Sequence, residues 1–151
     1  MQRYFLKEKK QNNFLLEKED IHHIKNVMRN QIGDQIECIY QEQLFICEIK
    51  NIQEGLVEIL SIQEENNEMK TEITVAIGLV KEQKMDLILQ KLTELGVSRI
   101  IPLKMERSII KLEKEKSKKK KERWEKILKE ASEQSKRNKI PEILEPITLK
   151  E

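Results

Sequence analysis

Three groups of polar residues in this chain have types and spacings that could carry chemistry. Gln90, Lys91 and Glu94 lie on the polar side of a predicted helix, with Gln90 and Glu94 one turn apart. Arg107 and Ser108 follow Pro102 at the C-terminal end of a predicted strand, the edge where open α/β sheets bind ligands. Glu130, Gln134 and Arg137 recur at i, i+4 and i+7 on a later helix. Spacing alone leaves a plainer alternative open for each group: solvated helix faces, with Glu133 and Arg137 as an ordinary surface ion pair.

A fourth group lies near the N-terminus. Lys25 and Arg29 stand one turn apart on a predicted helix that also carries His22 and His23. Such a basic stripe suits phosphates, although cations alone position a polyanion without reading its sequence. The adjacent histidines point about 100° apart on a helix, which disfavours their sharing one metal ion; one surface and one half-buried histidine is the plainer reading. The run Lys118 to Lys121 is a solvated helix start or a steering patch for a polyanion. The four glycines, Gly33, Gly55, Gly78 and Gly96, stand far apart, so neither a G-x-G-x-x-G nor a Walker A phosphate loop is encoded. Cys38 and Cys47 fit no zinc spacing and read as reduced core thiols.

The elements that must position these residues fall into two rhythms. In the first half, apolar residues alternate: Ile36, Cys38 and Tyr40, then Phe45, Cys47 and Ile49, then Val57 and Ile59. Period-two alternation gives strands with one buried face. One helix interrupts them, with Asp20 as the expected N-cap and Ile21, Ile24, Val27 and Met28 as the expected buried stripe. The result is a small barrel over residues 1–70. The polar stretch from Gln63 to Thr71 reads as a linker. From residue 73 to 151 the pattern changes to strand, helix, strand, helix, the signature of an α/β layer on a parallel sheet. Ile73 to Leu79 reads as a strand buried on both faces. The helix after it is expected to turn Met85, Ile88, Leu89, Leu92 and Leu95 inward and to end at Gly96. The last helix carries Trp124, Ile127, Leu128 and Ala131 on one face. The fold class is therefore α+β overall, a barrel followed by a short α/β domain.

Charge is balanced, 29 Lys and Arg against 27 Asp and Glu, so the sum does not point to nucleic acid; the distribution has to. Aromatics are only 4% of residues, which argues against a surface built on stacking platforms. The N-terminal residues resemble no secretory signal, and no stretch approaches the roughly 20 apolar residues of a membrane span. A cytoplasmic location without membrane contact is the expectation.

Several blocks together resemble a known family. Leu89-Gln90-Lys91-Leu92-Thr93-Glu94-Leu95-Gly96-Val97, then Ile101-Pro102-Leu103, then Glu106-Arg107-Ser108, resemble the RsmE family of 16S ribosomal RNA uracil-N3 methyltransferases. So do Arg123-Trp124-Glu125-Lys126-Ile127, Glu130 to Arg137, and Ile140-Pro141. The N-terminal Arg3-Tyr4-Phe5 and the pattern His22-His23, Val27-Met28-Arg29, Gly33-Asp34 match as well. The blocks keep the family's order over nearly the whole chain. Met28 stands where Leu is common, and Lys136 where Gly is often seen.

The resemblance implies a PUA-like RNA-binding barrel, a SPOUT-type α/β methyltransferase domain with a C-terminal knot, a homodimer, and methyl transfer from S-adenosylmethionine to N3 of a uridine in 16S rRNA of the 30S subunit. The glycine-rich cofactor segments and the knot are expected beyond residue 151, which makes this chain a fragment in that reading. Lys91, Glu94, Arg107, Gln134 and Arg137 are the expected substrate-site residues; Arg3, His23 and Arg29 are the expected RNA contacts. Two alternatives stand beside it: a non-catalytic RNA-binding module, and an assembly protein whose charged helix docks a partner helix.

Overall fold

The computed structural model describes residues 1–105 and 114–150 and divides into two compact units, Met1–Asn67 and Glu68–Glu151. The first unit holds β1 (Arg3–Phe5), β2 (Lys9–Lys10), β3 (Asn13–Leu15), α1 (Lys18–His22), a π-helical turn (His23–Val27), β4 (Gln35–Tyr40), β5 (Gln43–Asn51) and β6 (Leu56–Gln63). The strands form one sheet in the order β1-β4-β5-β6-β3-β2. Pairing is antiparallel except between β1 and β4. The strand order leaves β1 and β2 as edges, so the barrel expected from the alternation is an open one.

The alternating residues do share a face. Tyr4, Phe14, Ile36, Cys38, Phe45, Cys47, Ile49 and Val57 form one buried core, joined by Ile24 from the π turn. Cys38 and Cys47 are free thiols inside it. The hydrogen bond with Cys47, and burial, push the Cys38 thiol well above its ordinary range, which keeps it neutral. Gly55 is required by close approach: a Cβ there would stand 2.7 Å from Ile21 Cδ1, and its φ of +71° already favours glycine.

The first helix departs from expectation. Asp20 is not the N-cap: α1 begins after Glu17, and Asp20 is buried within it. Ile21 and Ile24 face the core, but Val27 and Met28 are exposed. The cause is the π turn, in which Met28 N–H bonds the His23 carbonyl five residues back at 2.9 Å. A wider turn takes up one more residue than an α turn and rotates everything after it off the apolar face.

The second unit holds β7 (Thr74–Gly78), α2 (Glu82–Leu95), β8 (Arg99–Leu103), α3 (Lys114–Gln134) and β9 (Glu142–Ile143). Its sheet is parallel, in the order β7-β8-β9. Met85 and Leu89 of α2, Trp124 and Leu128 of α3, and Ile100 and Ile143 of the sheet form the core. Ile73 to Leu79 is not buried on both sides: Val75 and Ile77 pack on the core, while Ile73, Thr74 and Ala76 are exposed. Leu95 is also outward, 74% exposed, and Thr93 takes the inward position with its hydroxyl bonded to the Leu89 carbonyl at 2.8 Å. The inward row is Met85, Leu89 and Thr93, spaced by four, and Leu95 falls off that row at the last helical position.

Both long helices end in the same motif, a left-handed residue followed by an N–H that bonds the carbonyl five positions back. In α2 these are Gly96, at φ +99°, and Val97 bonding Leu92 at 3.1 Å. In α3 they are Lys136, at φ 58°, and Arg137 bonding Ser132 at 3.0 Å. Lys136 thus bears the steric cost of a conformation that glycine adopts freely. Lys136→Gly is expected to stabilise this unit by about 0.5–1 kcal/mol, the relief of strain less the entropy of a freer unfolded chain. Urea unfolding followed by Trp124 fluorescence checks this; an unchanged or lower midpoint contradicts it.

Candidate functional site

The two expected sets of functional residues lie in different units. In the first unit, Arg3 is not at the surface. It is 1% exposed, and its Nε donates to Glu37 Oε2 at 2.9 Å across the β1–β4 pair. His23 is half-buried on the π turn, with its Nδ1 2.9 Å from the hydroxyl of the buried Tyr4 and its ring edge-on to that ring. Tyr4 therefore fixes the imidazole's orientation.

Arg29 is exposed and left-handed, at φ 52°. Its loop is tied down on both sides. Asn30 N–H donates to the Ile24 carbonyl at 3.0 Å, and Gly33 N–H to the Ile49 carbonyl at 2.9 Å. The Asp34 carboxylate accepts from the Gln31 N–H at 2.9 Å and the Asn30 amide at 3.1 Å. The bond to Gln31 first, then that to Asn30, hold its pKa below the ordinary 3.8. The cation is thus presented on a braced loop.

In the second unit, Lys91, Glu94, Gln134 and Arg137 gather where α2 and α3 end. Lys91 Nζ pairs with Glu94 at 3.2 Å, both at the surface. Gln134 is exposed at the end of α3. Arg137 differs from all of them: it is 4% exposed and fully engaged in packing the unit together. Its Nε and Nη2 grip the two oxygens of Glu68 at 3.1 and 2.6 Å. Its Nη1 donates to the carbonyls of Thr93 and Val97 at 3.3 and 2.8 Å, covering the open C-terminal end of α2. Glu68 also accepts from the Asn138 N–H at 3.3 Å. Arg137 and Glu133 are both buried, so neither stands on the surface as the plain spacing suggested. Glu68 lies inside the polar stretch read as a linker, and no periodicity marked it.

The cluster has a definite place on the sheet. β8 starts at Arg99, just after α2 ends, so Lys91, Glu94 and Arg137 stand at the N-terminal edge of the parallel strands. Arg107 follows Leu103, the C-terminal end of β8, and lies outside the described residues. Two further links join the helices: Arg123 of α3 pairs with Glu82 and Asp86 of α2. Among the described residues no group of His, Cys, Asp or Glu is arranged to hold a metal ion. No described helix is long and apolar enough to cross a membrane.

Known proteins share this arrangement. Residues 67–151 match the RNA methyltransferase domain, and residues 16–60 match the RNA methyltransferase PUA domain. The chain belongs to the RNA methyltransferase family that these domains define. Ribosomal RNA small subunit methyltransferase E of Bacillus subtilis (strain 168) is 43% identical over 96% of the chain, and that of Mesomycoplasma hyopneumoniae (strain 232) is 33% identical over 100%. The chain spans 60% and 65% of the length of these two relatives. Among solved structures, ribosomal RNA small subunit methyltransferase E from Neisseria gonorrhoeae, bound to S-adenosyl methionine, superposes with a TM-score of 0.89 at 30% identity, over 98% of the chain and 63% of that structure. A methyltransferase from Legionella pneumophila in complex with the same cofactor gives 0.90 at 33% identity, over 97% and 63%. The family read from the motifs is thus the family these relatives represent.

In the second unit Gly78 ends β7, where a Cβ would stand 3.3 Å from Met105, and Gly96 ends α2. In the first unit the Arg29 loop is braced by the Asp34 carboxylate. The amide of Gln31 is expected to report its bracing. Asp34 has a lowered pKa, so its contribution is present above 3.8 and is lost as pH falls through the lowered value. The Gln31 amide proton shift should therefore titrate with a midpoint below 3.8, and Asp34→Asn should abolish the titration. A midpoint at or above that value contradicts the geometry.

Proposed function

We propose that this chain is the RNA-engaging portion of an S-adenosylmethionine-dependent methyltransferase that modifies N3 of a uridine in 16S rRNA. The observation that carries the reading is the 43% identity to a ribosomal RNA small subunit methyltransferase across 96% of the chain, spanning both matched domains. The 30S subunit is the substrate particle in this reading, the cytoplasm its location, and a homodimer its working form.

The chemistry sets what the residues must do. The N3 proton of uracil has to leave as the methyl group arrives, so the site must stabilise negative charge spreading over the ring. Arg107 is the cation we assign to that task, because it follows the strand edge where α/β sheets hold ligands. Lys91, held by Glu94, and Gln134 are assigned to contact with the RNA outside the reacting base. Arg137 positions these groups through the helix ends it joins, and Arg3 positions β1; neither is assigned a contact with RNA. His23 and Arg29 are assigned to the RNA backbone. The methyl donor is assigned to residues outside this chain, and S-adenosylmethionine supplies only the electrophilic methyl group.

The test uses a protein of the relatives' full length carrying this sequence, 30S particles and labelled S-adenosylmethionine. N3 lies on the pairing edge of uracil, so methylation there stops reverse transcription at one uridine. The expected result is a single stop in 16S rRNA, reduced at least tenfold by Arg107→Ala. No stop, or transfer to another atom of the base, overturns the assignment.

A further inference from the structure

The π turn and the loop after it place three large aliphatic residues in solvent together. Val27 is 60% exposed, Met28 44% and Ile32 66%, within six consecutive residues that also carry Arg29. Large apolar side chains grouped at a braced loop tip are unusual unless something covers them. The tip is not loose chain: Asn30, Gln31 and Gly33 are each hydrogen-bonded to the body of the unit or to Asp34. Its charge is positive. Arg29 and Lys25 are exposed, and against these two cations stands one carboxylate, the exposed Asp34, which accepts hydrogen bonds from Asn30 and Gln31.

We infer that this tip is a wedge for an unpaired nucleobase, with Met28 and Ile32 lying against the face of the base and Arg29 taking the adjacent phosphate. The inference rests on the RNA-binding reading above and deepens it. Charge complementarity selects a polyanion. The size of the patch selects a single base, since a stable protein interface takes about 800 Å² from each partner and three side chains cannot supply it. Every base has an apolar face, so such a contact is tolerant of base identity but demands that the base be unstacked. Aliphatic side chains fill here the role that aromatics fill elsewhere, in a chain with only 4% aromatic residues.

The test compares two RNA probes, a 16S rRNA hairpin with an open loop and a blunt duplex of equal length and charge. The variant Met28→Gln/Ile32→Gln alters only exposed positions, so its unfolding transition should match that of the unsubstituted chain. It is expected to bind the hairpin about tenfold more weakly with an unchanged salt dependence, and the duplex as before. Arg29→Gln is expected to weaken both probes and to lower the salt slope by about one. Unchanged hairpin affinity of the apolar variant, or equal losses on hairpin and duplex, overturns the wedge while leaving RNA binding intact. A change in self-association of the variant with unchanged RNA affinity assigns the tip to a protein contact and overturns it too. If the unsubstituted chain binds neither probe, the RNA reading itself fails, and the wedge with it.

Discussion

The guanidinium of Arg137 is the point on which the second unit depends. One planar group, 4% exposed, donates to both oxygens of a half-buried carboxylate and to two carbonyls at the end of a helix. A bidentate arginine is suited to this because its fork matches Glu68, while its remaining donors point at Thr93 and Val97. Lysine could not replace it, since an ammonium lacks the fixed planar geometry. Three segments distant in sequence are joined by this one contact: the residues around Glu68, the end of α2 and the turn after α3. The left-handed Lys136 is what brings Arg137 back toward α2, so local backbone strain is retained for a tertiary contact.

The consequence for function is a division of labour between cations. Arg3 and Arg137 are spent on the fold, one across β1 and β4, the other across the helix ends. Arg29, Lys91 and, in α3, Lys116, Lys118, Lys119 and Lys126 are exposed. The same residue type thus supports two roles, and burial with a fixed carboxylate partner tells them apart.

Much of this architecture was legible in the residues. Alternation gave β4 and β5, because one face of each strand meets the core, and the switch to helical spacing after residue 73 marked the second unit. The Trp124, Leu128 and Ala131 face of α3 is buried as its spacing requires. The failures have physical causes. A π turn follows the same residue pattern as an α turn, so the outward rotation of Val27 and Met28 left no trace in spacing. Glu68 sits among polar residues without period, and its partner lies 69 positions away. Arg137 kept a helical spacing from Glu133, but the chain had already left the helix at Gln134. The expectation of glycine at position 136 was the one local clue, since it marks a left-handed residue and hence the reversal that aims Arg137 at α2.

The most direct measurement is a double-mutant cycle on the clamp, with Arg137→Ala, Glu68→Ala and the pair compared by urea unfolding through the single tryptophan, Trp124. Removing Arg137 alone should cost about 3–5 kcal/mol, because a half-buried carboxylate loses its cation and the Thr93 and Val97 carbonyls lose a charged donor. Once Arg137 is gone, removing Glu68 should cost little more, which gives a coupling of about 2 kcal/mol or more. Losses that simply add, with coupling within about 0.5 kcal/mol, would mean that Arg137 and Glu68 do not act as one clamp.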